Sequence, residues 1–259
     1  MKTHVILRTC DIRQVHVDWR KRYCGYNKTE IVQTCVTSLV RSIQNVKDHH
    51  IELTVLDDHS NDETVEFLTQ LIHPVGGTLI AMQGHGNNHS LHEQFLRCRD
   101  SNADLVYSVE DDYLHESQAI QAMIDSWQIF DEKSNHTPIV LHPFDAPEEY
   151  RDPQFTSYVV HGSDRHWRTG EFSTATLMCA PKLIQQNWSL FECLALKYNG
   201  DYLNPRQEHW EESNTIWKIW TQGPALRFNP IPSLALHMQF DDQKDPFIDW
   251  QSWWQKYGS

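Results

Sequence analysis

The chain has 259 residues, with 22 Lys and Arg against 35 Asp and Glu and a formal net charge of −13. That length gives one large domain mass enough for a sizeable core, and 11% aromatic residues with ten Trp exclude a disordered or fibrous chain. The mean hydropathy of −0.59 excludes a membrane protein built on apolar spans, and no stretch nears the ~18 apolar residues that a span needs.

The charge is one-sided. Residues 1–50 carry nine Lys and Arg against four Asp and Glu, and the remaining 209 carry 13 against 31. An acidic body argues against a nucleic-acid partner, which needs a basic face. The basic group Arg20, Lys21, Arg22 with Lys28 reads as a solvated loop. Six scattered cysteines without a C-x-x-C pair, and no signal peptide, read as reduced thiols of a cytoplasmic protein.

In chain order, His4–Thr9 is short, apolar and β-branched, a buried strand. Asn27 and Glu30 then match a capping box ahead of Val32, Val36, Leu39, Ile43 and Val46 at helical spacing. Ile51–Asp57 is a second strand. Ser60 with Glu63 predicts the start of a second helix, and Thr78–Met82 is a third strand. Ser90 with Glu93 predicts a third helix, and Asp104–Val109 is a fourth strand. Ser117–Phe130 is helical, and Pro138–Pro143 is a fifth strand. Strands alternating with helices imply a doubly wound, mostly parallel α/β sheet of the Rossmann-like kind, whose ligands sit beyond the carboxyl ends of the strands. The second half is irregular: a long loop with a hairpin over 144–170, a strand in Phe172–Cys179, a helix opening at Pro181, and a helix over Arg206–Thr221 ending at Gly223. One domain over 1–245 is expected, followed by a tail helix over 246–259 whose Trp250, Trp253 and Trp254 pack on the domain or serve as a membrane-surface or acceptor contact.

Two acidic clusters follow strands: Asp57-Asp58 and Glu110-Asp111-Asp112. Adjacent carboxylates repel, so such runs are costly without a cation or donors to offset them, and hard ions such as Mg²⁺ or Mn²⁺ choose oxygen ligands. Helix-capping acids are the alternative. His85, His89 and His92 have zinc-like spacing, but Gly86-Asn87-Asn88 predicts a polar loop there. The chain has no Walker A lysine and no G-x-S-x-G elbow.

The segment LDDHSNDET resembles the D-D-G-S-x-D-x-T segment of glycosyltransferase family 2, and VEDDYL resembles the D-x-D motif of the same GT-A fold. Glu211-Glu212, Lys218, Gly223 and Pro230 are similar to its E-D…R-L…G…P segment. The chain departs from the pattern at His59 for Gly, Glu212 for Asp, and Gln94-Phe95 for an Arg-Asn pair.

The resemblance implies a metal-dependent, inverting glycosyltransferase. The donor would be a nucleotide-diphosphate sugar, a UDP-sugar favoured, bound by residues 1–143. The acceptor would be a carbohydrate or other hydroxyl, met by residues 144–245. Arg8, Thr9, Asp57, Asp58, Glu110 and Asp111 would bind the donor; Asp112 and His237 would hold Mn²⁺ or Mg²⁺; Glu212 would be the catalytic base, with Glu211 as the alternative. A nucleotidyltransferase on a similar sheet and a non-catalytic nucleotide- or sugar-binding module remain the other readings.

Overall fold

The structure is a computed structural model that describes residues 1–11, 26–84, 86–151, 155–197, 211–239, 245 and 247–257. Its centre is a nine-stranded sheet in the order β3-β2-β1-β4-β9-β6-β10-β8-β7. The strands are β1 (Lys2–Thr9), β2 (His50–Asp57), β3 (Thr78–Ala81), β4 (Leu105–Glu110), β6 (Ile139–Leu141), β7 (Val159–His161), β8 (His166–Thr169), β9 (Leu177–Cys179) and β10 (Leu226–Ile231). The β3-β2-β1-β4 block is wholly parallel, and β6 and β10 pair in parallel further on. Strands β8 and β9 run against their neighbours. The doubly wound, mostly parallel α/β sheet expected from the strand–helix alternation is therefore present, with the expected hairpin formed by β7 and β8. A separate two-stranded ribbon pairs β5 (Tyr113–His115) with β11 (Ala235–His237), which carries the far end of the chain back beside the acidic run after β4.

Helix α1 (Lys28–Gln44) opens on Asn27, whose side chain accepts from the Glu30 N–H while Glu30 reaches back, the capping box of the sequence. It buries Ile31, Val32, Val36, Leu39, Val40 and Ile43, a stripe at 3.6-residue spacing worth roughly 1.5–3 kcal/mol per fully buried side chain. Helix α8 (Trp250–Tyr257) packs on α1, with Trp254 stacked on Tyr26 at 4.2 Å. The tail tryptophans thus pack on the domain. Among the described residues no helix is long and apolar enough to cross a membrane.

Three local expectations are corrected. Helix α2 (Asp62–Ile72) is capped by Asn61, which accepts from the Thr64 N–H; Ser60 instead accepts from the Asp11 N–H. Helix α3 (Asn87–Arg99) begins three residues before Ser90, so no polar loop lies at Asn87-Asn88. Tertiary partners supply its start: the Asp58 carboxylate accepts from the Gly86 N–H, and Arg8 holds the Asn87 carbonyl and side chain. His89 and His92 therefore lie on α3 and His85 lies outside the described residues, among which no three-residue metal-ligating group occurs. The long helix to Thr221 is also interrupted. Residues 206–210 lie outside the described residues, Glu212–Asn214 is a 3₁₀ turn, and only Lys218–Thr221 (α7) is helical. Thr215 breaks it: its hydroxyl donates 2.6 Å to the Glu211 carbonyl, and its backbone turns to φ −122°, ψ −99°. The remaining helices are α4 (Ala119–Lys133), α5 (Pro181–Gln186) and α6 (Trp188–Lys197).

Candidate active site

Parallel register brings the two acidic clusters together. Strand β1 lies between β2 and β4, with Arg8 opposite both Leu56 and Glu110, and Thr9 opposite Asp57. A cavity of about 100 Å³ opens there, lined by Arg8, Lys28, Asp58, Glu110, Asp111 and Asp112, with Cys10, Asn87, Ser90 and Gln239 at its edges. It sits beyond the carboxyl ends of the central strands, where such sheets bind ligands.

Each wall residue is fixed by its neighbours. The Arg8 guanidinium donates to Glu110 Oε1 at 2.8 Å, and to the Asn87 carbonyl and Ser90 Oγ at 3.3 Å each. Glu110 is braced from the other side by the Thr176 hydroxyl at 3.3 Å. Asp111 accepts from the Lys28 ammonium at 2.5 Å and from the Cys10 N–H at 2.8 Å. Asp112 lies 3.5 Å from His237 Nε2, which β11 delivers. Burial disfavours the charged His237 ring, yet the Asp112 carboxylate outweighs it and raises the imidazole pKa above its ordinary value. Tyr113 stacks on that ring at 4.6 Å and bonds the Thr174 hydroxyl at 2.8 Å, fixing the imidazole plane.

Four of the residues named from the sequence fall elsewhere in this arrangement. Thr9 is buried and donates to Asp57 Oδ1 at 3.1 Å, while Asp57 Oδ2 accepts from the Ser60 N–H at 3.1 Å. Both sit just behind the cavity wall and shape the turn that presents Asp58. His59 in that turn has φ +63°, a left-handed conformation that glycine adopts without cost, and its ring bonds Asp58 at 3.1 Å. The two other outliers are Glu211 and Glu212, on the far segment. The departure at Gln94-Phe95 has a structural explanation: Gln94 is buried and donates to the Ile6 and Val109 carbonyls, clasping β1 to β4, and Phe95 lies in the core against Phe191. Neither side chain lines the cavity.

Lys28, Asn87 and Ser90 are cavity residues that the sequence reading missed. Lys28 lies on the cavity wall, with its side chain 16% exposed, rather than on a solvated basic loop. One signal was available: as the first residue of the helix after β1, it must lie at the sheet edge where β1 ends.

Glu212 approaches from the second half. Burial pushes its carboxyl up to about 7, with the charges of Glu110 and Glu211 adding to the shift and that of Arg8 opposing it. The turn carrying it is fastened by two indoles: Trp217 Nε1 donates to the Ser173 carbonyl at 2.9 Å, and Trp220 Nε1 to the Glu171 carbonyl at 3.0 Å. Glu211 is turned to local bonding, accepting from the Ser213 hydroxyl at 2.6 Å.

Among the described residues the cavity lining carries four carboxylates and two cations. A divalent ion fits that excess. Asp112 and His237 offer an oxygen and a nitrogen within 3.5 Å of each other, and His237 Nδ1 is buried without a hydrogen-bond partner among the described residues. Two protein ligands, completed by phosphate and water oxygens, is a donor set that Mg²⁺ and Mn²⁺ accept.

Fold and site together define an α/β protein with an acidic crevice at a parallel sheet edge. The family model for glycosyl transferase family 2 matches residues 24–185, and the chain belongs to that family. No curated protein matches the sequence. Among solved structures, S. aureus TarS 1-349 in complex with UDP is 15% identical over 76% of this chain and 55% of that one, with a TM-score of 0.46. A mannosyltransferase from Pyrobaculum calidifontis, solved with GDP-Man and Mn²⁺, is 14% identical over 71% and 46%, with a TM-score of 0.41. A putative nucleotide-diphospho-sugar transferase from Desulfovibrio desulfuricans G20 is 10% identical over 88% and 79%, with a TM-score of 0.47. The chain spans about half the length of the TarS 1-349 chains it matches.

Proposed function

We propose that this chain transfers a sugar from a nucleotide-diphosphate donor to an acceptor hydroxyl with inversion, in a metal-dependent reaction. The observation that carries the reading is the excess of carboxylates, among the described residues, around one cavity beyond the ends of β1, β2 and β4. Residues 1–143 form the donor half and residues 144–245 the acceptor half. Asp58 accepts hydrogen bonds from the nucleoside, and Glu110 faces the ribose and donor sugar. Arg8 and Lys28 supply positive charge beside the diphosphate. A divalent ion held by Asp112 and His237 would neutralise charge developing on the leaving nucleoside diphosphate.

Glu212 takes the proton from the acceptor hydroxyl. A carboxyl that ionises near 7 is matched to neutral pH: enough of it is ionised to accept a proton, and its basicity exceeds that of an ordinary carboxylate. In-line attack on the anomeric carbon then displaces the diphosphate on the opposite face, which inverts the configuration.

The test begins with binding. UDP, GDP and their sugars should raise the melting temperature in the presence of Mn²⁺, and release of nucleoside diphosphate from a nucleotide sugar should follow. Release of pyrophosphate instead would reveal a nucleotidyltransferase, and binding without turnover a binding module. Glu212→Gln should leave donor affinity intact and cut single-turnover transfer by about 10²–10⁴-fold, the usual worth of a general base. Glu211→Gln should have a milder effect. Wild-type turnover in Glu212→Gln would remove this segment from the chemistry.

A further inference from the structure

We propose that His161 and His166 form a second metal site, a two-imidazole clip on the β7–β8 hairpin that takes a borderline ion of the Zn²⁺ class. The two residues are register partners across the hairpin. The Gly162 N–H donates to the Arg165 carbonyl at 2.9 Å, so the 162–165 pair is hydrogen-bonded and the neighbouring 161–166 pair is of the non-hydrogen-bonded kind. Side chains of such pairs approach most closely. Faces alternate along a strand, so Trp167 goes to the buried side against Phe130, and the two exposed imidazoles share the other face. Their ring centroids lie 5.2 Å apart with the planes at 81°. Two imidazoles on one tetrahedral ion, each bound through nitrogen at about 2.0–2.1 Å, hold their centroids about 5 Å apart.

The tautomer of one ring is set. A carbonyl only accepts, so His161 Nδ1–H donates to the Gly162 carbonyl at 2.8 Å, which leaves the lone pair of the neutral ring on Nε2. Metal-ligating imidazoles use that outer arrangement. The hairpin is also pinned before any ion arrives. The Ser163 N–H donates to Ser126 Oγ at 3.1 Å, and the Ser163 hydroxyl to the Ala122 carbonyl at 3.3 Å, both on α4. Gly162 packs so closely that a Cβ there would lie 2.5 Å from Ser126 Oγ. Arg165 reaches the Pro232 and Ser233 carbonyls at 3.2 and 3.3 Å. Ligands held in advance lower the ordering cost of binding. The guanidiniums nearby are matched by acids: Arg165 meets Glu116 and Asp164, and Arg168 meets Asp145 and Glu149. Among the described residues no third His, Cys, Asp or Glu joins the pair, so it supplies two ligands. Imidazole suits Zn²⁺, whereas the oxygen-rich crevice suits harder ions, so the two sites differ in kind.

The site stands apart from the donor reading above, and its test needs no substrate. Zn²⁺ is the probe, and the chain is full-length and untagged. Carbethoxylation of histidines by diethyl pyrocarbonate, mapped by peptide mass spectrometry, should fall to about a tenth at both His161 and His166 when Zn²⁺ stands at ten times its dissociation constant. The exposed ring of His73 should react as before. In His161→Ala, with folding checked by circular dichroism, His166 should lose its protection, and His166→Ala should do the same to His161. Calorimetry should show this Zn²⁺ site weakened by at least about 10–100-fold in either variant, since losing a ligand costs no less than losing its outer partner. Asp112→Asn should leave the protection of both rings intact, which separates the clip from the crevice. Protection of one ring without the other in the wild type overturns the proposal, as does His166 protected in His161→Ala as in the wild type.

Discussion

Two clusters of charge lie before and after β6 in chain order, and they are built on different terms. The cavity cluster sets Asp58, Glu110, Asp111 and Asp112 against Arg8 and Lys28, with acids in excess and the side chains facing open space. The second cluster sets Asp145 and Glu149 against Arg168 and Arg227, all four buried. There, Arg168 Nε meets Asp145 at 2.7 Å, and Glu149 takes Arg168 at 3.1 Å and Arg227 at 3.0 Å. Glu149 also accepts from the Glu171 and Phe172 N–H groups at 2.7 Å each, and Asn229 joins the pair of acids. Gly170 passes so close that a Cβ there would lie 2.1 Å from the Arg227 guanidinium. Charges matched two against two with their lone pairs filled serve architecture; an unmatched excess facing a cavity calls for a ligand.

The sharpest way to break that contrast is to unbalance the sealed cluster. Glu149→Ala leaves two buried guanidiniums short of a partner and frees the 171–172 backbone, so urea unfolding should show a loss of about 3–5 kcal/mol. A loss below 1 kcal/mol would mean that the cluster is not structural. The cavity should respond in the reverse manner. Asp112→Asn should change the stability of the free chain little, because it relieves acid crowding, yet abolish stabilisation by UDP with Mn²⁺. At a hundred times the dissociation constant that stabilisation amounts to about 2.7 kcal/mol in the wild type. An unaltered thermal shift in Asp112→Asn would put the ion elsewhere.

The smallest effect is one of pH. Glu212 ionises near 7 rather than near 4.5, and a base must be ionised to act. Transfer should therefore rise about tenfold between pH 6 and pH 8 and level off, and the rise should vanish in Glu212→Gln. The same shift opposes folding: this carboxyl's contribution to stability is full below pH 4.5 and declines as pH rises towards 7, because the unfolded chain gives up its proton first. A flat profile in the wild type would assign the proton to another group.

The contrast also explains what could be read from the sequence. The cavity cluster is made of residues that directly follow strands, and strands of alternating βα units end on one edge, so local pattern and topology suffice to gather Arg8, Asp58 and the Glu110–Asp112 run. The sealed cluster has no such logic. Its partners lie 23 residues apart for Asp145 and Arg168 and 78 for Glu149 and Arg227, and three of the four fall in the segment 144–170 that reads as a long loop with a hairpin. Lys28 was hidden by its neighbours, since a basic run suggests a solvated loop, while the capping box that places it was in view. The helix expected over Arg206–Thr221 is not continuous in its described part, because periodicity recorded the buried side of Ile216, Ile219 and the indoles, whereas the Thr215 hydroxyl and the fastening of Trp217 and Trp220 to 171–173 set the backbone.

The seating of α8 on α1 has a consequence for how the chain is made. Arg41 of α1 donates to the carbonyls of Lys256 and Tyr257, and Trp254 covers Tyr26 just before the capping box. During synthesis α1 thus waits for α8 to complete its outer face. At about 5–20 residues per second, the intervening two hundred or so residues take roughly 10–40 s to synthesise. Through that interval α1 and Tyr26 carry an uncovered face, a natural seat for a chaperone, and the wait ends only when α8 has cleared the exit tunnel.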